Sequence, residues 1–146
     1  MPFSVAVDAS ETCLGAVLFQ VVDDVEHPIC YLSRKLRAAE RNYSTLEKEA
    51  LALVVSVKAF SPYFGAAPVT VWTDHSPLRY IESMSKQNAK LMRWSFEPQR
   101  HTLDEKHRPG RLNILPDLLS GHPVPNSSLS PSPTSHTYSA THVYRL

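Results

Sequence analysis

The stretch "VTVWTDHSPLRY", residues 69–80, places a carboxylate directly after a short apolar run. Residues 69–72 are β-branched or aromatic, which is typical of a buried strand, while Ser76 and Pro77 are residue types that begin a helix. Asp74 therefore lies at a strand end. An aspartate in this position is a boundary residue, a helix cap or a ligand for a cation, and the rest of the sequence has to decide among the three.

The composition indicates one ordinary globular domain. The 146 residues are 42% hydrophobic and 20% charged, with a net charge of +1, so overall basicity does not indicate a nucleic-acid partner. The distribution of charge is uneven, because residues 79–111 hold eight Lys or Arg against four acids. Such a segment permits a basic surface for a polyanion, and it is equally typical of a solvated helical face.

The cysteines and the apolar segments bear on location. Cys13 and Cys30 form no CxxC pair, which argues against a metal knuckle and favours a reduced chain. No basic N-terminal region precedes a sustained apolar one, and the apolar segment at residues 50–60 is interrupted by Ser56 and Lys58. These features predict an intracellular protein, cytoplasmic or nuclear, that is not secreted and has no membrane partner.

The order of elements predicts an α/β fold. Strands are expected over residues 3–8, 12–22, 27–33, 69–73 and about 101–108. Helices are expected over residues 44–62 and 116–120, and one or two amphipathic helices over residues 77–97. Short links make the first three strands an antiparallel meander, and the helix before residues 69–73 makes that strand parallel to the first. Ser44 and Glu47 fit a capping box at the start of the first helix, which Pro62 and Gly65 end. The sequence thus predicts a mixed five-stranded sheet flanked by helices.

A change of composition divides the chain after residue 121. Residues 122–146 hold four prolines and six serines and show no compact apolar pattern. We therefore predict one domain over residues 1–121 and a disordered tail rich in Pro, Ser and Thr over residues 122–146.

Two predicted strand ends carry acids. Asp8 ends the first strand and Asp74 ends the fourth, and parallel neighbours in a sheet bring such ends side by side. Two carboxylates held close together repel each other unless a cation lies between them. This pairing favours the ligand interpretation of Asp74.

Five motifs in register extend this pattern. They are "VDASETCLGAVLFQ" (7–20), "HPICYLSRKLRAAERNYSTLEKEALALVVSVKAFSPYF" (27–64), "VTVWTDHSPLRYI" (69–81), "RW" (93–94) and "HRPGRLNILPDLLSG" (107–121). Together they resemble the ribonuclease H domain that follows the polymerase in the polyproteins of gypsy-class LTR retrotransposons. The resemblance covers residues 4–121 and implies the ribonuclease H-like fold, in agreement with the order of elements.

The resemblance also implies an activity, which is hydrolysis of the RNA strand of an RNA–DNA hybrid. Its active site consists of four carboxylates, carried over by position to Asp8, Glu49, Asp74 and Asp117. They would hold two Mg²⁺ ions, with Mn²⁺ as a substitute, since hard cations prefer oxygen ligands. The implied partners are the hybrid and the polymerase domain of a parent polyprotein. The alternative is a retroelement-derived, catalytically silent module that binds nucleic acid or another partner.

Several assignments need the resemblance to choose between residues. Glu47 and Glu49 lie about 200° apart on one helix, and helical periodicity alone selects neither; the resemblance selects Glu49. Residues predicted to contact nucleic acid are Ser10, His75, Arg93 and Arg108. The resemblance also implies a histidine-bearing loop before the last aspartate, and His107 is the only nearby candidate for that histidine. Trp94 is expected to lie in the core rather than on the nucleic acid.

Overall fold

The computed structural model describes residues 2–107 and 141–145. In chain order the elements are β1 (Phe3–Ala9), β2 (Cys13–Val22), β3 (Val25–Lys35), a short 3-10 helix (Glu40–Asn42), α1 (Thr45–Phe64), β4 (Val69–Thr73), α2 (Pro77–Met84), α3 (Ala89–Gln99), β5 (Leu103–His107) and β6 (Thr141–Arg145). Within these residues the strands form one sheet in the order β5-β4-β1-β2-β3-β6. The predicted α/β class is confirmed.

The sheet is mixed, as the connections predicted. The links between β1, β2 and β3 are short, and these strands pair antiparallel. The link from β2 to β3 is the pair Asp23 and Asp24, whose φ angles of 53° and 61° match the backbone that a two-residue hairpin requires. β4, reached through α1, pairs parallel with β1, and β5 pairs parallel with β4.

Among the residues that the structure describes, the sheet has six strands rather than the five predicted. β6 lies within the segment predicted to be a disordered tail and pairs antiparallel with β3, from Arg34 opposite Thr141 to Cys30 opposite Arg145. Val143 packs on the main core, and Tyr144 stacks on Tyr31 with 4.6 Å between ring centroids. The predicted domain limit at residue 121 and the predicted last helix lie outside the described residues.

The main core lies between the sheet and α1. The buried face of α1 includes Leu53, Val57 and Phe60, which pack on inward residues of β1, β2 and β4. Ser44 caps this helix, because its hydroxyl accepts a hydrogen bond from the Glu47 N–H at 3.2 Å. The sequence therefore positions α1, which carries Glu49, across the centre of the sheet.

The end of α1 differs from the prediction at one residue. Pro62 does not end the helix but lies inside its last turn, and Gly65, with φ of 52°, follows the last residue. Proline has no N–H for the carbonyl of Lys58 four residues earlier, and the Ser61 hydroxyl donates to that carbonyl at 3.1 Å instead. Among the described residues, no helix is long and apolar enough to cross a membrane.

Candidate active site

Two predicted ligands lie at the carboxyl ends of adjacent parallel strands. Ala6 of β1 pairs with Trp72 of β4, and Asp8 and Asp74 each follow two residues later. The parallel register therefore brings these aspartates to the same edge of the sheet, as the sequence predicted. Asp8 is half-buried within β1. The Oδ1 atom of Asp74 is buried and has no hydrogen-bond partner among the described residues.

Glu49 extends from α1 to the loop that follows β4. It is 3% exposed, and its Oε1 atom lies 2.7 Å from Nδ1 of His75. Its Oε2 atom is buried and lacks a hydrogen-bond partner within the part of the chain that the structure describes. Glu49 thus has one oxygen held by a histidine and a second oxygen that no described donor satisfies.

Glu47, the other carboxylate on this part of α1, faces a different environment. Its Oε2 atom lies 2.6 Å from Nζ of Lys90 on α3, and the ammonium lies 3.8 Å from the ring centroid of Tyr43. Cation–ring contacts of this kind add to the ion pair. Glu47 therefore serves the packing of α1 on α3, while Glu49 is the carboxylate of α1 that lies beside His75.

The electrostatics at Glu49 reflect its crowded surroundings. Burial raises the pKa of the Glu49 carboxyl above its ordinary value, and the contact with His75 acts against that rise. The nearby charges of Asp74 and Glu105 raise the pKa further. A bound cation would reverse both effects, because it replaces lost solvation and neutralises the mutual repulsion of the carboxylates.

Two oxygen atoms near the strand ends have the chemistry that a hard divalent cation requires. Asp74 Oδ1 and Glu49 Oε2 are buried carboxylate oxygens without described donors, and oxygen is the ligand that Mg²⁺ and Mn²⁺ prefer. Within residues 2–107 and 141–145, no three His, Cys, Asp or Glu side chains are grouped closely enough to hold a metal ion. Asp117, the fourth predicted ligand, lies outside the described residues.

The loops beside the carboxylates are held by their own hydroxyls. The Thr73 hydroxyl donates to the carbonyl of His75 and so closes the loop after β4. The Ser10 hydroxyl accepts from the N–H groups of Thr12 at 3.3 Å and Cys13 at 3.0 Å. Ser10 therefore shapes the β1–β2 turn, and its contact with nucleic acid stays a prediction.

The other residues that the sequence singled out differ in their exposure. Arg93 is exposed on α3, where it is available to a phosphate, and His107 is exposed at the end of β5. Trp94 packs on the main core, with its ring 5.8 Å from that of Tyr43, so its assignment to the core is confirmed. Arg108 lies outside the described residues.

Glu105 of β5 is a further residue near the site, and no motif in the sequence predicted it. Its Oε1 atom accepts a hydrogen bond from the Leu78 N–H at 2.8 Å, and its Oε2 atom accepts from the Arg79 N–H at 3.3 Å. The alternation of side chains along β5 could have indicated this residue, because it places Leu103 and Glu105 on one face of the strand and Asp104 on the other. A charged residue on the inward face of a strand requires a partner.

A family model matches residues 1–100 of this chain, and its description is "RNase H-like domain found in reverse transcriptase". The chain is 38% identical over 130 residues to the retrovirus-related Pol polyprotein from transposon opus of Drosophila melanogaster, a match that covers 88% of this chain and 13% of the polyprotein. It is 35% identical over 120 residues to the corresponding polyprotein from transposon gypsy of the same organism, covering 82% and 11%. The chain thus spans about one eighth of these relatives.

Two of the solved structures that resemble this chain illustrate the shared fold. RNase H1 from the halophilic archaeon Halobacterium salinarum matches with a TM-score of 0.58 and 17% identity, over 82% of this chain and 94% of that one. The foamy viral protease-reverse transcriptase in complex with RNA/DNA hybrid matches with a TM-score of 0.52 and 20% identity, over 90% of this chain and 18% of that one. At these identities the similarity concerns the architecture.

Proposed function

This chain belongs to the family of RNase H-like domains found in reverse transcriptase, and from that membership we propose that it is a metal-dependent endonuclease that hydrolyses the RNA strand of RNA–DNA hybrids. The resemblance to gypsy-class retrotransposons is confirmed by the transposon relatives, and the predicted ribonuclease H-like fold by the structural neighbours. The activity is the further step, and it depends on the site.

One observation carries the proposal. Asp74 Oδ1 and Glu49 Oε2 are buried oxygens without described hydrogen-bond donors, at the same sheet edge as Asp8. A buried carboxylate oxygen without a partner is costly to the fold, so it points to a ligand. The chemistry of the oxygens selects a hard divalent cation, with Mg²⁺ proposed and Mn²⁺ as a substitute.

The residues that would hold two such ions are Asp8, Glu49, Asp74 and Asp117. When bound, the ions supply an activated water and charge neutralisation at the departing 3′ oxygen of the phosphodiester. His75 holds Oε1 of Glu49, and Oε2 is the oxygen of Glu49 that has no described donor. The loop bond from Thr73 fixes the position of His75, and the burial of Glu49 keeps bulk water away from its carboxylate.

The proposed substrate and partners follow from the relatives. The foamy viral reverse transcriptase was solved with an RNA/DNA hybrid, and the curated relatives are Pol polyproteins. We therefore propose a hybrid duplex as the substrate and the polymerase domain of a parent polyprotein as the protein partner. Ser10, His75, Arg93 and Arg108 remain the predicted contacts with nucleic acid, and the intracellular location also remains a prediction.

The test uses the purified chain, an RNA–DNA hybrid labelled on the RNA strand, and Mg²⁺ or Mn²⁺. Wild type is expected to cut the RNA, while Asp74→Asn and Glu49→Gln are expected to lose cleavage by at least about 100-fold, as happens when a positioned catalytic group is removed. Glu47→Gln is the matched control, because it removes a carboxylate from the same helix outside the site. Its cleavage rate should stay close to that of wild type.

Two results would contradict the proposal. Equal cleavage by wild type and Asp74→Asn would show a contaminating nuclease. Absence of cleavage in either metal by a folded chain that still binds the hybrid would instead support the catalytically silent binding module.

A further inference from the structure

The start of α2 is capped by a side chain from another strand. Ser76 occupies the N-cap position but makes no side-chain hydrogen bond to the helix. Instead, the Oε1 atom of Glu105 accepts a hydrogen bond from the Leu78 N–H at 2.8 Å, and its Oε2 atom accepts one from the Arg79 N–H at 3.3 Å. The first turn of a helix leaves such N–H groups without intrahelical partners, and its positive dipole end favours an anion. Glu105 therefore supplies the cap that Ser76 does not.

This cap lies next to the candidate active site along the chain. Only Asp74, His75 and Ser76 separate the end of β4 from the beginning of α2. β4 holds one end of this three-residue loop, and the hydroxyl of Thr73 holds the carbonyl of His75. At the other end, Glu105 fixes the first turn of α2. The orientation of the loop thus depends on a residue that lies 29 positions beyond its last member in the sequence.

Glu105 is also near enough to influence the site electrostatically. Its charge is one of those that raise the pKa of the Glu49 carboxyl. Burial raises the pKa of Glu105 itself, and the two backbone hydrogen bonds counteract this rise. Because both of its oxygens accept hydrogen bonds from α2, Glu105 contributes negative potential and position to the candidate site.

We propose that Glu105 is a positioning residue of the candidate active site, which caps α2 and thereby holds Asp74 and His75 against Glu49. The role in cation binding rests on the proposed function, whereas the effect on the loop does not. Mutation of residues that orient metal ligands without binding the metal themselves commonly lowers metal affinity by about 10–100-fold. Glu105→Gln keeps the size of the side chain but removes its charge and one of its two acceptors.

The control for Glu105→Gln is Asn88→Ala. The Oδ1 atom of Asn88 caps α3 through the N–H groups of Lys90 at 2.9 Å and Leu91 at 3.3 Å, so each capping residue accepts from two backbone donors. Both variants should lower the melting temperature by a few degrees. Only Glu105→Gln should disturb residues 74–76.

The first readout is the NMR spectrum of the full chain without metal. Glu105→Gln should shift or broaden the His75 backbone amide and imidazole signals, while Asn88→Ala should leave them in place. The second readout is Mn²⁺ affinity by calorimetry, which should fall about tenfold in Glu105→Gln only. Unchanged His75 signals in Glu105→Gln, with a stability loss like that of Asn88→Ala, would overturn the proposal. A wild-type chain that binds no Mn²⁺ would overturn the proposed function, and the His75 signals would still decide the role of Glu105.

Discussion

Replacing Glu40 by alanine is expected to destabilise the fold by about 4–6 kcal/mol. Oε2 of Glu40 lies 3.0 Å from Nη2 of Arg34, and the two side chains are only 10% and 6% exposed. Removing one partner of a buried ion pair costs about 3–5 kcal/mol, because the remaining charge is left without compensation. The Arg37 N–H, which donates to Oε1 of Glu40 at 2.8 Å, loses its acceptor, which adds about 1 kcal/mol.

The loss is a large part of the stability of a small domain, which is typically about 5–15 kcal/mol. Urea denaturation measures it directly, and the midpoint should fall by about 2–3 M for a slope near 2 kcal/mol per M. Glu11→Ala is the control, because Glu11 is exposed and its loss should change stability by less than about 0.5 kcal/mol. Arg34→Met with Glu40→Leu should recover most of the stability, since the pair and its desolvation disappear together.

The pH dependence gives a second check of the same reasoning. Burial alone would raise the pKa of Glu40, but the hydrogen bonds from Arg34 and Arg37 together with the positive charges of these two residues hold the pKa below its ordinary value of 4.5. A carboxyl with a lowered pKa in the folded state stabilises the fold above its unfolded pKa. The difference between wild type and Glu40→Ala should therefore be full at neutral pH and shrink below about pH 4.5. A cost under about 1 kcal/mol at pH 7 would refute the reasoning, because that is the cost of a solvent-screened pair.

Three further outcomes are expected. Ser44→Ala should cost about 1 kcal/mol in urea denaturation, because the N–H of Glu47 loses its cap; an unchanged midpoint would show that water replaces the hydroxyl. Asp24→Gly should raise stability by up to about 1 kcal/mol, since glycine adopts φ of 61° without strain; a lower midpoint would mean that the aspartate side chain stabilises the turn. Burial raises the pKa of the Cys30 thiol to about 12. Ellman's reagent should therefore modify the half-buried Cys13 well before Cys30 in the native protein. Equal rates of modification would contradict the burial of Cys30.

Most of the architecture could be predicted because its signals are local. The β-branched and aromatic residues before Asp74 define β4 from neighbouring residues, and the capping box at Ser44 defines the start of α1 in the same way. The parallel pairing of β1 with β4 then follows from connection length alone. Because parallel strands end at the same edge, the proximity of Asp8 and Asp74 was also predictable.

What the sequence did not reveal depends on tertiary contacts. Periodicity cannot choose Glu49 over Glu47 because both flank the apolar face of α1. Their tertiary contacts separate them, since Glu47 pairs with Lys90 on α3 and Glu49 lies against His75. The hydrogen bond from α2 to Glu105 joins two elements that are distant in the sequence, so no local motif predicts it. β6 was missed because the composition of the surrounding segment is typical of disorder, whereas its five residues gain order from the edge of β3.

The unequal covering of β3 has a consequence for self-association. Among the described residues, β6 pairs with residues 30–34 of β3 and does not extend along residues 25–29. An open strand edge is a template on which a second molecule can build an aggregate. Here that half of the strand carries Glu26 and Pro28, and proline has no N–H to offer an incoming strand. β6 protects the half of β3 that contains the buried Leu32, so a chain without β6 should aggregate more readily during refolding at high concentration.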